Sequence, residues 1–370
     1  MKIVEIQHIQ LNMPLKSSFV TSYGVLKEKA FDLYFVCDER GNQGIGELVS
    51  FEVPDYIEET IVNDRHIIKN YLLPLLKGKT LQYPTDVWQL FQTVQGNYMA
   101  KSAIETAIWD LYAKRQKQPL SYYFPTTRDR IPVGVSVGMH ESTDALIDAV
   151  KAYVEQGYTR IKLKIKPEND YVPLKAIREA FPTILLMADA NSAYDRQHMD
   201  ALKRLDTLNL SMIEQPFHPR DFVLHQQLQQ QMQTAICLDE NIRSLEDVQT
   251  AHALQSCQSI NLKIPRVGGI TEALRIVEFC DSHQLTVWLG GMFESGVGRA
   301  LNLQFASQQS FQFPGDISAS DRYYYEDIVT QPVTVAQGEI IVPSGMGIGV
   351  ELNWEVIHRI CTLSEKISLE

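Results

Sequence analysis

Five short apolar segments recur between residues 161 and 265, and each contains polar residues toward its end. They are IKLKIKP (161–167), ILLMADAN (184–191), SMIEQP (211–216), AICLDEN (235–241) and SINLKIP (259–265). Each has one charged residue near its C-terminal end, and these residues recur every 24 or 25 positions: Lys164, Asp189, Glu214, Asp239 and Lys263. A strand, a helix and two short loops occupy roughly this length in a (β/α)8 barrel. The pattern predicts five consecutive barrel strands that present these charges at one face.

The charged residues share one face of their predicted strands. In the first segment, apolar and charged residues alternate. The apolar residues are Ile161, Leu163 and Ile165, and the charged ones are Lys162, Lys164 and Lys166. Strand side chains alternate between two faces, and a charge on a buried strand is costly unless it is paired or bound to a metal. We therefore expect three carboxylates and several lysines to neutralise one another at the barrel mouth, most easily around a divalent cation. A solvated face of an edge strand is the alternative for any single segment.

The N-terminal part, residues 1–125, is predicted to form an α+β capping domain. Residues 1–12 and 30–48 alternate like strands. The polar stretch PLKSSFVTSYG (14–24) between them is expected to be a surface loop, which could act as a lid with a glycine hinge. Helical spacing is clearest at 99–116, a stretch that we expect to serve packing. Glu47, at the end of GIGE, is expected to be solvated, and the alternative is a strand-end carboxylate in the same lid region.

The barrel is predicted to span residues 126–320. Its first strand is IPVGVSVG (131–138), its seventh lies in TVWLGGMF and its eighth in FQFPGDIS (311–318). Residues 321–370 are predicted to return to the capping domain, with a closing helix near 354–365. The expected fold is therefore α/β, a (β/α)7β TIM-like barrel capped by an α+β domain that the N-terminus and the C-terminal tail build together.

Composition narrows the classes of partner. The net charge is −11, which argues against nucleic acid as a partner and gives no attraction to anionic membranes. Five scattered cysteines without a C-x-x-C motif suggest neither a disulfide framework nor a zinc site. The N-terminus has no apolar signal core and no long apolar run occurs, so the cytoplasm is the expected location. The sequence leaves the oligomeric state open, including a homo-oligomer.

The carboxylates Asp189, Glu214 and Asp239 suit a hard cation. Mg²⁺ takes oxygen ligands in octahedral geometry, and Mn²⁺ can substitute for it. An ion-pair network with the lysines and no metal is the alternative. A lysine beside other cations in a buried barrel has a lowered pKa and could serve as a general base. The alternating lysines leave open which one is the base, although Lys166 would lie past the strand end in solvent.

Several motifs, taken together in order, resemble the enolase superfamily. They are K-x-K, D-A-N, E-Q-P, D-E-N and N-L-K-I-x-R-V-G-G, together with FVTSYG (19–24), GIGE (44–47) and GGMFESGVGRA (290–300). Within that superfamily the combination resembles the o-succinylbenzoate synthase / N-acylamino acid racemase family. The resemblance covers nearly the whole chain, and the motifs are specific as a set although each is weak alone.

The resemblance implies a Mg²⁺-dependent reaction on a small carboxylate substrate. In the family's dehydration, the lysine at the position of Lys164 removes the α-proton and then protonates the leaving hydroxide, while the lysine at the position of Lys263 stabilises the enediolate as a cation. The product would be 2-succinylbenzoate, in menaquinone biosynthesis. In racemisation both lysines exchange protons with one carbon. Further substrate-binding or supporting residues are expected to be Lys162, Ser136, Asn191, Glu240, Arg266, Gly291, Met292 and Tyr23.

Other branches of the superfamily fit less well. VWLGGMFES lacks the histidine of relatives that resemble mandelate racemase, and Asp316-Ile317-Ser318 lacks the second acid of the dipeptide epimerases. N-acylamino acid racemisation, as a main or second activity, and a muconate-type cycloisomerase stay open. A non-catalytic carboxylate-binding relative would require loss of a ligand or a base, and none is missing.

Arg266 has two interpretations. It could be a surface arginine after a strand, or a permanent cation that depresses the pKa of Lys263. In the second case its loss should harm racemisation, in which Lys263 must cycle between charged and neutral forms, more than dehydration.

Overall fold

The computed structural model describes residues 1–20 and 25–369. The strands are β1 Ile3–Val20, β2 Val25–Asp38, β3 Gln43–Leu48, β4 Arg130–Pro132, β5 Gly134–Val137, β6 Arg160–Lys164, β7 Leu185–Asp189, β8 Met212–Glu214, β9 Ala235–Leu238, β10 Ser259–Leu262, β11 Thr286–Leu289, β12 Glu339–Ile341 and β13 Cys361–Ser368. The helices are α1 Ile61–Ile67, α2 Leu73–Leu76, α3 Thr85–Phe91, α4 Tyr98–Arg115, α5 Thr143–Glu155, α6 Tyr171–Ala180, α7 Met199–Arg204, α8 Phe222–Gln229, α9 Leu245–Leu254, α10 Ile270–Ser282, α11 Gly296–Ala306 and α12 Trp354–Ile360.

An antiparallel sheet in the order β13-β1-β2-β3 forms the cap. Its β1 continues to Val20 and pairs with β2, with a register shift between Pro14 and Phe19. The expectation of a surface loop over 14–24 is therefore wrong for residues 14–20, and residues 21–24 lie outside the described part of the chain. Pro14 and residues 16–18 are exposed although their backbone belongs to a strand. Because this part of the hairpin is exposed to solvent, its strand does not need alternating apolar residues. Its polar sequence is therefore typical of a loop.

The C-terminal segment completes this sheet. Helix α12 ends at Ile360, and β13 then pairs antiparallel with β1, with Glu5 opposite Ser368 and Leu11 opposite Cys361. The predicted closing helix over 354–365 is thus correct only in its first half. The backbone of Cys361–Ser368 pairs with the edge of β1, and this tertiary pairing overrides the helical pattern of the preceding turn.

Helix α4 packs between the capping sheet and the barrel. Glycines in β3 permit close approach, because a Cβ at Gly46 would lie 2.0 Å from the carbonyl oxygen of Ala103. The helix also carries buried acids that bind backbone N–H groups elsewhere: Glu105 accepts from Ile270 and Thr271, the first residues of α10. Glu47 of β3 is buried rather than solvated, since its carboxylate accepts hydrogen bonds from the start of α11.

The barrel is a curled parallel sheet of seven strands in the order β5-β6-β7-β8-β9-β10-β11. The predicted first strand, 131–138, is divided: β4 pairs with β12, and only β5 enters the barrel. The predicted eighth strand, 311–318, does not form a strand. It contributes a bridge between Val133 and Gly315, and Asp316 N donates to the carbonyl of Leu289 at 2.9 Å.

Arg160 holds this closing segment in place. Its Nε and Nη2 donate to the carbonyl oxygen of Pro314 at 3.1 and 3.0 Å. Gly134 makes room for the guanidinium, because a Cβ there would lie 2.1 Å from Arg160 Nε. Below the charged groups, an apolar cluster of Met187, Met212, Cys237 and Trp288 fills the barrel interior. No helix within the described ranges is both long and apolar enough to cross a membrane.

Candidate active site

The five charged residues predicted to meet at the barrel mouth all lie at the C-terminal ends of neighbouring strands. Lys164 is paired with Asp189 across β6 and β7, and Asp189 with Glu214 across β7 and β8. Lys263 directly follows β10, two strands farther round the barrel. Lys164, Asp189, Asp239 and Lys263 line one cavity. Glu214 lies beneath it, fully buried and bonded to Lys162, which also lines the cavity.

Lys162 is held by three carboxylates. Its Nζ lies 2.8 Å from Glu214 Oε2, 3.0 Å from Asp189 Oδ2 and 2.6 Å from Asp316 Oδ2. Burial alone would lower the pKa of Lys162, but the charges of these carboxylates outweigh it and hold the pKa well above its ordinary value. Lys162 is therefore a structural cation in this arrangement, and its three N–H donors are occupied.

Lys164 lies closer to the cavity opening. Its Nζ donates to Asp189 Oδ2 at 2.7 Å and to Asn191 Oδ1 at 2.5 Å. Asn191 Nδ2 donates to Glu240 Oε1 at 3.1 Å. Asn191 and Glu240, both predicted supporting residues, therefore form a series of hydrogen bonds that ends at Lys164. Asn191 has a left-handed backbone with φ 42°, which is uncommon outside glycine and places its side chain across the strand end. Lys166 is exposed, as expected.

Lys263 approaches from the other wall. Its Nζ donates to the hydroxyl of Tyr56 at 2.8 Å and to Asp239 Oδ2 at 3.0 Å. Burial lowers the pKa of Lys263, but the charge of Asp239 and its neighbours outweighs this and raises the pKa above that of an ordinary lysine. Lys263 is thus an ammonium ion at neutral pH.

Arg266 is buried, so its interpretation as a surface arginine is wrong. Its guanidinium binds Asp239, the Tyr56 hydroxyl and the carbonyl oxygens of Ile242 and Asn261. The guanidinium lowers the pKa of Lys263, which is the expected direction, but its effect is smaller than that of Asp239. Because the Arg266 side chain is only 1% exposed, its contacts with the site are fixed.

The predicted metal ligands are buried oxygens that repel one another. Burial raises the pKa of Glu214 to about 7, and the charges of Asp189 and Asp239 add to it. Glu240, a predicted supporting residue next to Asp239, has a pKa that burial raises to about 8, and its Oε2 has no hydrogen-bond partner. Across residues 1–20 and 25–369, no three acidic, histidine or cysteine side chains already form a ligand group. The lysines contact these carboxylates instead, and the buried all-oxygen donor set fits a hard divalent cation.

The remaining predicted residues are distributed around the cavity. Ser136 Oγ donates to Asp316 Oδ2 at 3.2 Å, and Gly291 and Met292 belong to the loop after β11 that forms one wall. A Cβ at Gly291 would lie 2.9 Å from the carbonyl oxygen of Asp316, so glycine permits the close approach of the closing segment. Tyr23 lies outside the described residues.

Several further residues contribute to the site. Arg160 and Asn261 lie two positions before Lys162 and Lys263, on the same faces of their strands, so alternation could have found them. Asn261 Nδ2 donates to Glu214 Oε1 at 2.6 Å. Tyr56 lies in a loop and has no comparable signal. Two arginines, Arg299 and Arg322, also line the cavity.

Known protein families and curated relatives match almost the whole chain. Residues 145–356 match the family model described as enolase C-terminal domain-like, and residues 3–123 match that of the mandelate racemase / muconate lactonizing enzyme N-terminal domain. An o-succinylbenzoate synthase from Enterococcus faecalis is 58% identical over 95% of this chain and 96% of its own length. An N-succinylamino acid racemase from Thermus thermophilus is 41% identical over 95% of each chain.

A solved structure gives the same result for the fold. An enolase superfamily member from Listeria innocua has a TM-score of 0.98 and 47% identity, with complete coverage of both chains. Its match includes the curled parallel sheet and the antiparallel cap. The chain therefore belongs to the enolase superfamily, in the family whose members are named o-succinylbenzoate synthase and N-succinylamino acid racemase.

Proposed function

We propose that this protein is an o-succinylbenzoate synthase. It would convert 2-succinyl-6-hydroxy-2,4-cyclohexadiene-1-carboxylate to 2-succinylbenzoate and water, a step of menaquinone biosynthesis, in the cytoplasm. The observation that carries the proposal is the placement of Lys164 and Lys263 on opposite walls of one cavity lined with carboxylates. Relatives with 58%, 48% and 43% identity have this name.

Lys164 is the proposed base. Its side chain is partly exposed to the cavity and is oriented by Asp189 and Asn191, so its amine can reach a substrate atom. In the proposed first step the Lys164 amine takes the proton from C1 of the substrate. It then delivers a proton to the hydroxyl at C6 on the same face, the C–O bond breaks and water leaves. The electrons of the C1–H bond become the new ring double bond, so the six-membered ring is aromatic.

Lys263 is the proposed electrostatic partner. Its raised pKa keeps it protonated, and an ammonium ion in a buried cavity stabilises negative charge on the substrate carboxylate more strongly than it would in water. Tyr56 and Asp239 fix its position. This arrangement suits dehydration, in which the second lysine is needed only as a cation.

Members of the superfamily use a divalent metal ion. We propose Mg²⁺ for this protein, held by Asp189, Glu214 and Asp239. When bound, such a cation stabilises the negative charge that develops on the substrate carboxylate as the proton leaves. Lys162 and Asn261 would keep Glu214 in place, because each donates to one of its oxygens.

Racemisation of N-succinylamino acids is the second candidate. The lysine on each wall favours it, and relatives with 41% and 38% identity are named N-succinylamino acid racemase. Asp316 is occupied by Lys162 and Arg160, so it has no free charge for a substrate ammonium group. An N-acylated amine carries no such charge and is compatible with this site.

An assay on the cyclohexadiene substrate tests the proposal. With Mg²⁺ present, we expect the absorbance of the aromatic product to appear with enzyme-dependent kinetics. A parallel assay would follow loss of optical rotation of an N-succinylamino acid, with an unprotected dipeptide and muconate as negative controls. Racemisation without dehydration would reverse the order of the two candidates, and turnover of neither substrate would contradict both.

A further inference from the structure

Glu47 joins the capping sheet to the barrel. Its carboxylate accepts hydrogen bonds from Ser295 N at 2.9 Å, Ser295 Oγ at 2.6 Å and Gly298 N at 2.8 Å. These N–H groups lie at the beginning of α11, where backbone donors have no partner within the helix. Both oxygens of Glu47 are used, and the residue is 6% exposed. The carboxylate therefore serves as an external cap on a barrel helix.

A second external carboxylate binds the same turn. Asp327 Oδ1 accepts from Gly296 N at 2.8 Å, while its Oδ2 has no hydrogen-bond partner. The N–H of Val297 is bonded to Ser295 Oγ at 3.2 Å. The first turn of α11 is thus bound from two different parts of the chain, but the two acids differ: Glu47 needs both oxygens, whereas Asp327 needs one.

The residues immediately before this turn form the wall loop, residues 291–294, which lines the active-site cavity. Within it Phe293 has a left-handed backbone with φ 61°, a conformation that costs a non-glycine residue about 1 kcal/mol or more. Tyr324 donates its hydroxyl proton to the Phe293 carbonyl at 2.6 Å. Arg299, which closes the first turn of α11, lines the cavity and donates to the Glu294 carbonyl at 3.0 Å. A strained loop of this kind depends on the anchors at its ends.

We propose that Glu47 is a positioning residue for the substrate pocket. By binding the first turn of α11 it fixes the wall loop and Arg299, and so it controls how tightly the substrate is bound. Lys164 and Lys263 belong to other strands and do not contact this turn, so the chemical step should be largely independent of Glu47. The inference rests on the proposed function for the location of the substrate.

The surroundings of Glu47 make its ionisation measurable. The charged or titratable groups that face it are Lys29 from β2, Glu294 from the wall loop and Tyr324 from the C-terminal segment. Burial raises the pKa of Glu47 to about 7, although the hydrogen bonds from Ser295 and Gly298 oppose the shift. A protonated carboxyl would turn an O–H toward one of these donors, so substrate affinity should fall as the pH decreases through neutrality.

Amide substitutions of the two capping acids form a matched pair. Glu47→Gln must place an NH2 group against an N–H donor, whereas Asp327→Asn can keep its accepting oxygen. At pH 8 we expect Glu47→Gln to raise KM by about fivefold or more, with kcat within about threefold of wild type. Its KM should change little between pH 6 and 8, while that of the wild type rises at pH 6. Asp327→Asn should keep the wild-type KM at both pH values.

Hydrogen–deuterium exchange of peptides that cover residues 290–300 provides a readout without substrate. We expect faster exchange in Glu47→Gln than in Asp327→Asn or wild type. Gly298→Ala is a second variant, because alanine favours the helix but its Cβ would lie 2.9 Å from Glu47 Oε2 and 2.8 Å from Glu294 Cγ, so it disturbs both the cap and the wall loop. It should raise KM in the same direction. The inference would be overturned if deuterium exchange in Glu47→Gln were the same as in wild type, or if Glu47→Gln and Asp327→Asn changed it equally. Both outcomes can be read whether or not the wild type dehydrates the proposed substrate. Absence of dehydration by the wild type would refute the proposed function instead.

Discussion

The hydroxyl of Tyr56 accepts a hydrogen bond from the ammonium group of Lys263 at 2.8 Å. Tyr56 lies in the loop between β3 and α1, so the capping part of the chain contacts one of the two lysines of the barrel directly. The same hydroxyl accepts from Arg266 at 2.8 Å and donates to Asp239 at 3.3 Å. It therefore connects two cations with the carboxylate between them.

Removal of this hydroxyl should impair catalysis. Tyr56→Phe retains the ring but removes one of the two acceptors that the ammonium and guanidinium groups share, so that only Asp239 remains to both. We expect kcat for dehydration to fall about tenfold. Steady-state kinetics would measure the effect. Tyr71→Phe is the control, because Tyr71 is 52% exposed and should show wild-type kinetics. Equal kinetics for both variants would contradict a role for the Tyr56 hydroxyl.

Loss of the proposed base should abolish turnover without unfolding the protein. We expect Lys164→Ala to lower kcat by about 10³-fold or more, because Lys162 is occupied by three carboxylates and cannot replace it. Circular dichroism and thermal unfolding would verify the fold. Lys166→Ala changes an exposed lysine two positions away and should remain fully active. Appreciable turnover by folded Lys164→Ala would move the role of base to another lysine.

Removal of divalent cations should eliminate dehydration. We expect excess chelator to abolish activity and Mg²⁺ or Mn²⁺ to restore it, since both accept all-oxygen ligands. Asp239→Asn removes one negative charge from the proposed ligands and should weaken metal binding, measured by calorimetry with Mg²⁺ alone. Full activity in excess chelator would instead indicate that the carboxylates and lysines form an ion-pair network that needs no metal.

Arg266 should matter more for racemisation than for dehydration. Its positive charge favours the neutral form of Lys263, which racemisation requires and dehydration does not. We expect Arg266→Gln to slow deuterium exchange mainly for the enantiomer that faces Lys263. Arg220→Gln, an exposed arginine, is the control. Equal slowing for both enantiomers would reject this role.

Buried His225 should make stability depend on pH. Its Nε2 accepts from Phe217 N at 3.3 Å and its Nδ1 lies 2.5 Å from the Asp221 carbonyl, which requires the neutral tautomer with a proton on Nδ1. Burial lowers the pKa of His225 to about 4, although the Asp221 carbonyl opposes the shift. The unfolded chain binds this proton at higher pH, so the stabilisation is complete above about pH 6.5 and is lost as the pH falls toward 4, by up to about 3 kcal/mol.

Urea denaturation from pH 7 to 4.5 would measure this effect. His225→Gln can provide a donor and an acceptor without titrating, so its free energy of unfolding should decrease less over this range than that of the wild type. His283→Gln changes an exposed histidine and should follow the wild-type curve. Parallel curves for His225→Gln and wild type would show that another group causes the loss of stability.

Much of the site could be predicted because chain length and alternation are local properties. A spacing of 24 or 25 residues places Lys164, Asp189, Glu214, Asp239 and Lys263 at successive strand ends. The contacts of Glu47 and Arg266 could not be predicted, since their partners come from distant elements. FQFPGDIS predicts a strand because it is apolar at alternate positions, but the closing segment does not form one. Pro314 lacks an N–H, and the carbonyl of this residue binds the Arg160 side chain rather than a neighbouring strand.

The pairing of β13 with β1 has a consequence for biosynthesis. Glu5 and Lys366 are in contact across these strands although they are 361 residues apart. At about 5–20 residues per second, the ribosome needs tens of seconds to make the chain between them. Throughout that time one edge of β1 has no partner, and an open edge can recruit strands from other nascent chains. We therefore expect the yield of native protein to depend on chaperones that cover this edge until translation reaches β13.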